Sequence, residues 1–331
     1  MGKKSAIVSG ILKNEAKIAE FALTNICTAR CDFCSIWQQK EKHTVSTEDA
    51  VRTISQLYDL GIRFITLTGG EPLLHPDFEA IIKECTRVNM MSSILNADAR
   101  LINEKRLDIL ERAETDLVCI SVDHHEDEVV SASRKIPGLL GHIETATKEL
   151  KKRKIKTMAS TLIWKKNRHS LRELFQKCES MGFDLISVNY PEFSQSPVYT
   201  LGGDAIDITK EDLICALEEV IQLKKEFNLA NTPTSMRNII SYLKGETPQY
   251  TCLGGYRAVF VDWNLEMWPC MHLGRSMGKV SELKKSDFKK KPCNCCNMSW
   301  YRDFSIYFQG LKSIRPLLEG VQFLKGFGIS N

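Results

Sequence analysis

A chain of 331 residues with 43% hydrophobic and 26% charged residues has enough apolar content to fold without disulfide staples, and its composition is that of a soluble globular protein. Its 45 basic residues nearly balance 41 acidic ones, for a net charge of +4, so nothing in the charge demands a nucleic-acid partner. No apolar run approaches the roughly 20 residues that span a bilayer, and the apolar run after the basic head is short and broken by Lys13, unlike a secretory signal; a cytoplasmic protein is expected.

Residues 1–15 read as an N-terminal extension. From residue 16 to about 230, strand-like and helix-like runs alternate. "IAEFALT" (18–24) is a strand, and "STEDAVRTISQLYDLG" (46–61) a helix with Ser46 and Asp49 as a capping box and Gly61 as its stop. Strands follow at 62–68, 92–97, 117–123, 155–163 and 184–190. Helices follow at 77–88, 103–114, 139–153, 171–180 and 210–227. Six βα units at this spacing predict a parallel sheet with right-handed crossovers, an α/β partial (β/α)6 TIM-like barrel open on one side. After residue 228 the pattern changes. "NTPTS" (231–235) and "GETPQ" (245–249) are loop signals. "YRAVFVDWNLEMWPC" (256–270) reads as a hairpin inside a small cysteine-rich module over 245–300, and 301–331 as a tail closing over the barrel.

In parallel barrels chemistry collects where strands end. The polar exceptions in this chain sit there: cysteines after the first strand, "TGGEP" (68–72) after the second, Asn96, Asp123 and Asn189 after the third, fourth and sixth. The twelve cysteines are uneven. Cys85, Cys119, Cys178 and Cys215 stand singly in apolar stretches and read as small core hydrophobes. The clustered ones read as metal ligands.

"CTARCDFC" holds Cys27, Cys31 and Cys34 as C-x₃-C-x₂-C with no fourth cysteine nearby. Thiolates bind soft metals and iron–sulfur clusters. Three of them would hold three irons of a 4Fe–4S cubane and leave the fourth for a group that is not protein. A structural zinc site with His43 as fourth ligand is the alternative. With "GGEP" in register after the second strand, the pattern resembles the radical S-adenosylmethionine (radical SAM) superfamily. That resemblance implies a 4Fe–4S cluster on Cys27, Cys31 and Cys34 whose open iron chelates SAM. It places Phe33 near the adenine, Gly69, Gly70, Glu71 and Pro72 at the methionyl amino group, and Asn96, Ser121, Asp123, Asn167 and Asn189 around the rest of SAM. One electron from the reduced cluster would cleave SAM to a 5′-deoxyadenosyl radical that abstracts hydrogen from substrate. Read from the residues alone, Glu71 could equally be a solvated loop carboxylate, and Asp123, Asn96 and Asn189 could cap local backbone. His124 and His125 could touch substrate but read first as a surface pair, and Arg134, in the loop before the fourth helix, could grip a carboxylate but reads first as an exposed residue.

Cys252 and Cys270 flank the hairpin, and Cys293 and Cys296 form C-x₂-C beyond it. The arrangement resembles a Twitch module, the short relative of SPASM domains, with a second, auxiliary 4Fe–4S cluster; Cys295 is a departure, and a zinc knuckle is the alternative. The expected function is a radical SAM oxidoreductase on a sugar- or cyclitol-like alcohol, the auxiliary cluster transferring electrons and a reductant such as flavodoxin or ferredoxin supplying them. A maturase of a ribosomal peptide is the alternative, disfavoured by the short stretch before the first strand. A lipid-modifying enzyme with the tail on a membrane surface is another, and a non-catalytic metal scaffold a fourth.

Overall fold

An apolar strand every thirty residues, each followed by an amphipathic helix, has one economical packing: strands side by side, helices outside. The computed structural model describes residues 2–13, 15–96, 98–191, 198 and 206–308, without the side chains of 11, 12, 96, 307 and 308. In chain order the elements are α1 (Lys3–Leu12), β1 (Lys17–Thr24), α2 (Thr47–Asp59), β2 (Ile62–Gly69), α3 (Phe78–Arg87), β3 (Met91–Asn96), α4 (Glu104–Arg112), β4 (Leu117–Ser121), α5 (Asp127–Arg134), α6 (Leu139–Lys152), β5 (Lys156–Leu162), α7 (Leu171–Ser180), β6 (Leu185–Asn189), α8 (Lys210–Leu223), α9 (Pro233–Leu243), β7 (Ala258–Val261), β8 (Glu266–Trp268), β9 (Gly278–Lys279) and α10 (Ser299–Phe308).

Strands β1 to β6 pair in parallel and in sequence order, and the sheet does not close, so the partial barrel is as expected. β4, buried along its whole length, shows the two-sided burial of such sheets. The hairpin forms as β7 and β8, with Asp262 accepting from the backbone N–H of Asn264 and Glu266 at its turn. β7 pairs in parallel with β1, so the sheet runs on past β1 into the cysteine-rich segment, order β6-β5-β4-β3-β2-β1-β7-β8-β9.

Three helices depart from the sequence expectation. The N-terminal extension holds α1, which buries Ala6 and Ile7 and ties Lys3 to the Glu114 carbonyl (2.7 Å) and the Asp116 carboxylate (3.3 Å). "NTPTS" is a helix start, not a loop: Thr232 accepts from Ser235 N–H as N-cap of α9 and Pro233 is the first helical residue. The stretch holding Arg134 is α5, with Asp127 and Glu128 in its first turn and Arg134 in its last. Cys85, Cys119 and Cys178 lie in the core as expected, whereas Cys215 is exposed on α8. Residues 301–308 belong to α10; the remainder of the tail, 309–331, lies outside the described residues. Among the described residues no helix is long and apolar enough to cross a membrane.

The turn after β2 is locked onto the exit of β1. Gly70 N–H donates to the Thr24 carbonyl (2.7 Å) and Glu71 N–H to the Ile26 carbonyl (2.8 Å). A Cβ on Gly69, where φ is +132°, would stand 2.2 Å from the Thr24 oxygen, and one on Gly70 2.1 Å from the Ile26 oxygen. The glycines are thus required by the chain's own backbone at the head of the cysteine loop. Gly70→Ala is expected to destabilise the fold by about 1–3 kcal/mol, measurable as a lowered urea midpoint at unchanged slope.

Candidate functional site

A cavity of about 260 Å³ opens at the C-terminal ends of the barrel strands, and Cys27, Cys31, Cys34, Phe33, Gly69, Gly70, Ser121, Asp123 and Asn189 all line it. The loop carrying the cysteines is closed at its base by Asn25. That side chain donates to the Glu41 carbonyl (2.8 Å) and accepts from His43 N–H (2.9 Å). Its far side rests on the end of α5, where Arg30 N–H and Asp32 N–H donate to the carbonyls of Arg134 and Ser133 and Lys135 pairs with Asp32. The loop is therefore fixed at three places, to β2, to its own return and to α5.

Arg134 is buried, not exposed. Its guanidinium binds Asp123 (2.5 and 2.7 Å), stands 3.6 Å from the Cys31 Sγ and lies over the Phe33 ring, 5.4 Å from its centre. Asp123 spends its other oxygen on Leu162 N–H (3.0 Å), so both are committed. Asn167 holds the Asp123 and Leu162 carbonyls and is a framework residue. Glu71 is fully buried, not solvated: Leu73 N–H and Asp98 N–H donate to its two oxygens. Pro72 opens the short 3₁₀ turn behind it. Asn189 donates to Ser160 (2.9 Å) and faces Ser299. Asn96 ends β3, and its side chain lies outside the described residues.

Burial pushes the Cys27 and Cys34 thiols up to about 12, and raises Cys31 against the pull of Arg134. Such thiols are neutral and unreactive until a metal displaces the proton, which leaves to solvent. His43, the fourth ligand of the zinc alternative, does not line the cavity and faces Glu41 instead. Three thiols on one cavity with His43 turned away fit a cluster held by three cysteines better than a closed structural zinc site. His124, His125 and Glu126 do converge, but His124 is buried, accepts from Glu126 N–H at Nδ1 and reaches the Lys166 carbonyl through Nε2, leaving neither nitrogen for a metal.

In the second group, Cys252 and Cys293 exchange backbone hydrogen bonds as an isolated bridge, which sets their side chains next to each other. Gly254 N–H points at the Cys252 sulfur, Leu273 N–H at Cys270 and Cys295 N–H at Cys293 (3.4, 3.4 and 3.5 Å). Such N–H···S contacts stabilise thiolate charge. Cys296 is buried and Cys295 exposed.

Two residues went unread in the sequence, and Arg134, read first as an exposed loop residue, is buried in the last turn of α5. Glu20, the lone acid inside the apolar strand β1, and Asp303 on α10 both line the cavity. Burial pushes each up to about 7. The isolated charge in "KIAEFALT" was the available signal for Glu20; nothing comparable marks Asp303.

Removing Arg134 would leave Asp123 buried without its partner. Arg134→Met is expected to cost about 3–5 kcal/mol, and the Asp123→Asn, Arg134→Met pair less than the single change, both read by denaturant unfolding. Glu20 and Asp303 hold protons in the folded chain up to about pH 7, but in the unfolded chain only to roughly pH 4. The folded state binds more protons across that window, so stability falls as pH rises through it. The protein is expected to melt higher at pH 6 than at pH 8, with a smaller difference in Glu20→Gln.

Residues 21–178 match the Radical SAM superfamily. Over 176 residues, 52% of this chain and 48% of its relative, the chain is 23% identical to the PqqA peptide cyclase of Gluconobacter oxydans. It is 23% identical over 255 residues (76% and 54%) to the subtilosin biosynthesis protein AlbA of Bacillus subtilis. With the AdoMet-dependent heme synthase of Nitratidesulfovibrio vulgaris it shares 22% over 287 residues (80% and 76%). The chain thus spans about half the length of the first two. In fold it is similar to Streptococcus suis SuiB bound to S-adenosylmethionine, TM-score 0.63 at 17% identity, over 85% of this chain and 68% of that one. The three-thiol loop, the turn locked to it and the open parallel barrel agree with the match, and residues 21–178 are a radical SAM superfamily domain.

Proposed function

We propose that this radical SAM enzyme modifies a peptide. The preference for a sugar or cyclitol finds no support among its relatives. The cyclase is named for the peptide PqqA, AlbA for the bacteriocin subtilosin, and SuiB is similar in fold also in its complex with the precursor peptide SuiA. The observation that carries the catalytic reading is the meeting of Cys27, Cys31 and Cys34 with the Gly69–Gly70 turn around one cavity.

In this reading residues 16–230 form the catalytic barrel and 245–300 the auxiliary module. Cys27, Cys31 and Cys34 hold the 4Fe–4S cluster that binds SAM; Cys252, Cys270, Cys293 and Cys296 hold the auxiliary cluster. The bound cluster and SAM supply reductive cleavage of SAM and hydrogen abstraction from an unactivated C–H bond. The chain's own residues position and seclude. Phe33, braced edge-on by Trp164 at 6.1 Å, offers a flat apolar surface for the adenine. Ser121 and Arg134 line the cavity and would meet the anionic end of SAM. Gly69 and Gly70 shape part of the wall with Glu71 and Pro72 buried in the turn that follows, Asn189 closes the sixth strand, and Leu95, Met158 and Phe304 would keep water from the reacting C–H bond. A low-potential protein such as flavodoxin or ferredoxin supplies the electron.

Anaerobic protein reconstituted with iron and sulfide is expected to show a reduced-cluster electron paramagnetic resonance signal that shifts on adding SAM, and to form 5′-deoxyadenosine. Cys31→Ala is expected to lose both. A short peptide encoded beside the gene is expected to change mass on incubation. If a tetrapyrrole is turned over and the peptide is not, the peptide reading is wrong while the radical chemistry stands.

A further inference from the structure

Glu20 lies midway along β1, opposite Thr66 of β2 and Phe260 of β7, and faces the cavity interior. Tyr301 of α10 donates its hydroxyl to Glu20 Oε2 (3.2 Å). Two residues on, Asp303 faces the same cavity and is 8% exposed. Its Oδ2 accepts from Asn231 Nδ2 (2.9 Å), and Asn231 is itself clamped to the Val188 N–H and carbonyl at the end of β6. Its Oδ1 is buried and meets no donor in hydrogen-bonding geometry among the described residues; the Ser235 hydroxyl, which also acts on this carboxyl, donates its hydrogen to the Thr232 carbonyl (3.1 Å). A buried carboxylate oxygen without a partner is costly, and native structures keep such a group where something else supplies the donor.

Among the described residues no cationic side chain pairs with the two carboxylates in direct contact. Arg134 is spent on Asp123. Arg302, the neighbour of Asp303, acts on it only at a distance: it donates from Nε to the Cys296 carbonyl (2.6 Å) and lies over the Tyr242 ring at 4.8 Å. Among the described residues neither Glu20 nor Asp303 enters an ion pair. Much of the surrounding wall is apolar, with Phe64, Met158, Trp300 and Phe304. Two carboxylates in such a wall, one with an oxygen unmet, describe a receptor for a cation that donates several hydrogen bonds.

We propose that Asp303 and Glu20 receive a protonated primary amine of the substrate, Asp303 through its unmet Oδ1 and Glu20 through the carboxylate that Tyr301 orients. The amine would anchor one end of the substrate between β1 and α10 and present the C–H bonds beside it toward the cysteine loop. This names the group recognised within the proposed peptide substrate and rests on that reading only for the reaction that follows.

The test uses the full-length protein with SAM present, titrated calorimetrically at pH 8 with n-butylammonium and, separately, with n-butanol, which has the same carbon chain and no charge. The amine is expected to bind at least about tenfold more tightly, the scale of a charge-assisted hydrogen bond. Asp303→Asn and Glu20→Gln are each expected to bring the amine to within about twofold of the alcohol, while SAM affinity and cooperative unfolding persist. Equal binding of amine and alcohol by the unaltered protein overturns the proposal, whatever the variants do. Variants that lose SAM and keep the amine preference also overturn it, by assigning the pair to the cofactor. Amine selectivity in a protein that binds neither cluster nor SAM leaves this inference standing and removes the radical SAM reading instead.

Discussion

Two backbone hydrogen bonds, from Gly70 to Thr24 and from Glu71 to Ile26, hold the site together. They join the exit of β1 to the exit of β2 at the residues where the cysteine loop begins. In the proposed reading the loop carries three metal ligands, and a loop of that kind that is set before the metal arrives spares metal binding the ordering entropy. Here the setting is done by hydrogen bonds and close packing: the two backbones approach so closely that only glycine fits at 69 and 70. Glu71 then extends the lock, since its buried carboxylate ties the turn to Asp98 beyond β3. Three strand ends are joined by one tetrapeptide.

The second fixed point is electrostatic. Arg134 brings a buried positive charge to within 3.6 Å of Cys31, in a place where a thiolate is otherwise opposed by burial. The arginine itself is tolerable there because Asp123 binds it and because α5, which ends on it, also receives the loop through the Arg134 and Ser133 carbonyls. One helix end thus serves charge and backbone together. Asp123 acts through the arginine: both its oxygens are occupied, and it holds the guanidinium beside Cys31.

The sequence made much of this legible for a physical reason. Parallel strands buried on both faces read as apolar runs, so polar residues at their ends stood out: Cys27, Gly69, Glu71, Ser121, Asp123 and Asn189. Where reasoning from residue type stood alone, it erred. Glu71 and Arg134 are charged residues that usually face water, and here each is buried because a partner from a distant segment satisfies it. Tertiary pairing of that kind leaves no local trace. The missed helices are a different case. α5 carried acidic residues in its first turn and Arg134 in its last, and α9 carried Thr232 followed by Pro233; both signals were local and present. Asp303 could not be found either way, since an acid in an aromatic-rich helix shows its importance only when the helix is seen against the barrel.

That helix also connects the two thiol groups. Leu253 N–H donates to the Ser305 hydroxyl (2.6 Å), which stands 3.9 Å from the Cys252 sulfur. Four residues earlier Tyr301 holds Glu20, and between them Asp303 faces the cavity. One turn of α10 therefore touches an auxiliary-module thiol and the two cavity carboxylates. A parallel connection runs through the sheet, where β1 pairs with β7 before the chain turns to Cys270. The barrel and the cysteine-rich segment are thus joined at two places, through the pairing of β1 with β7 and through α10. Such a layout makes the cysteine-rich segment a structural support for the end of the cavity that Glu20 and Asp303 line.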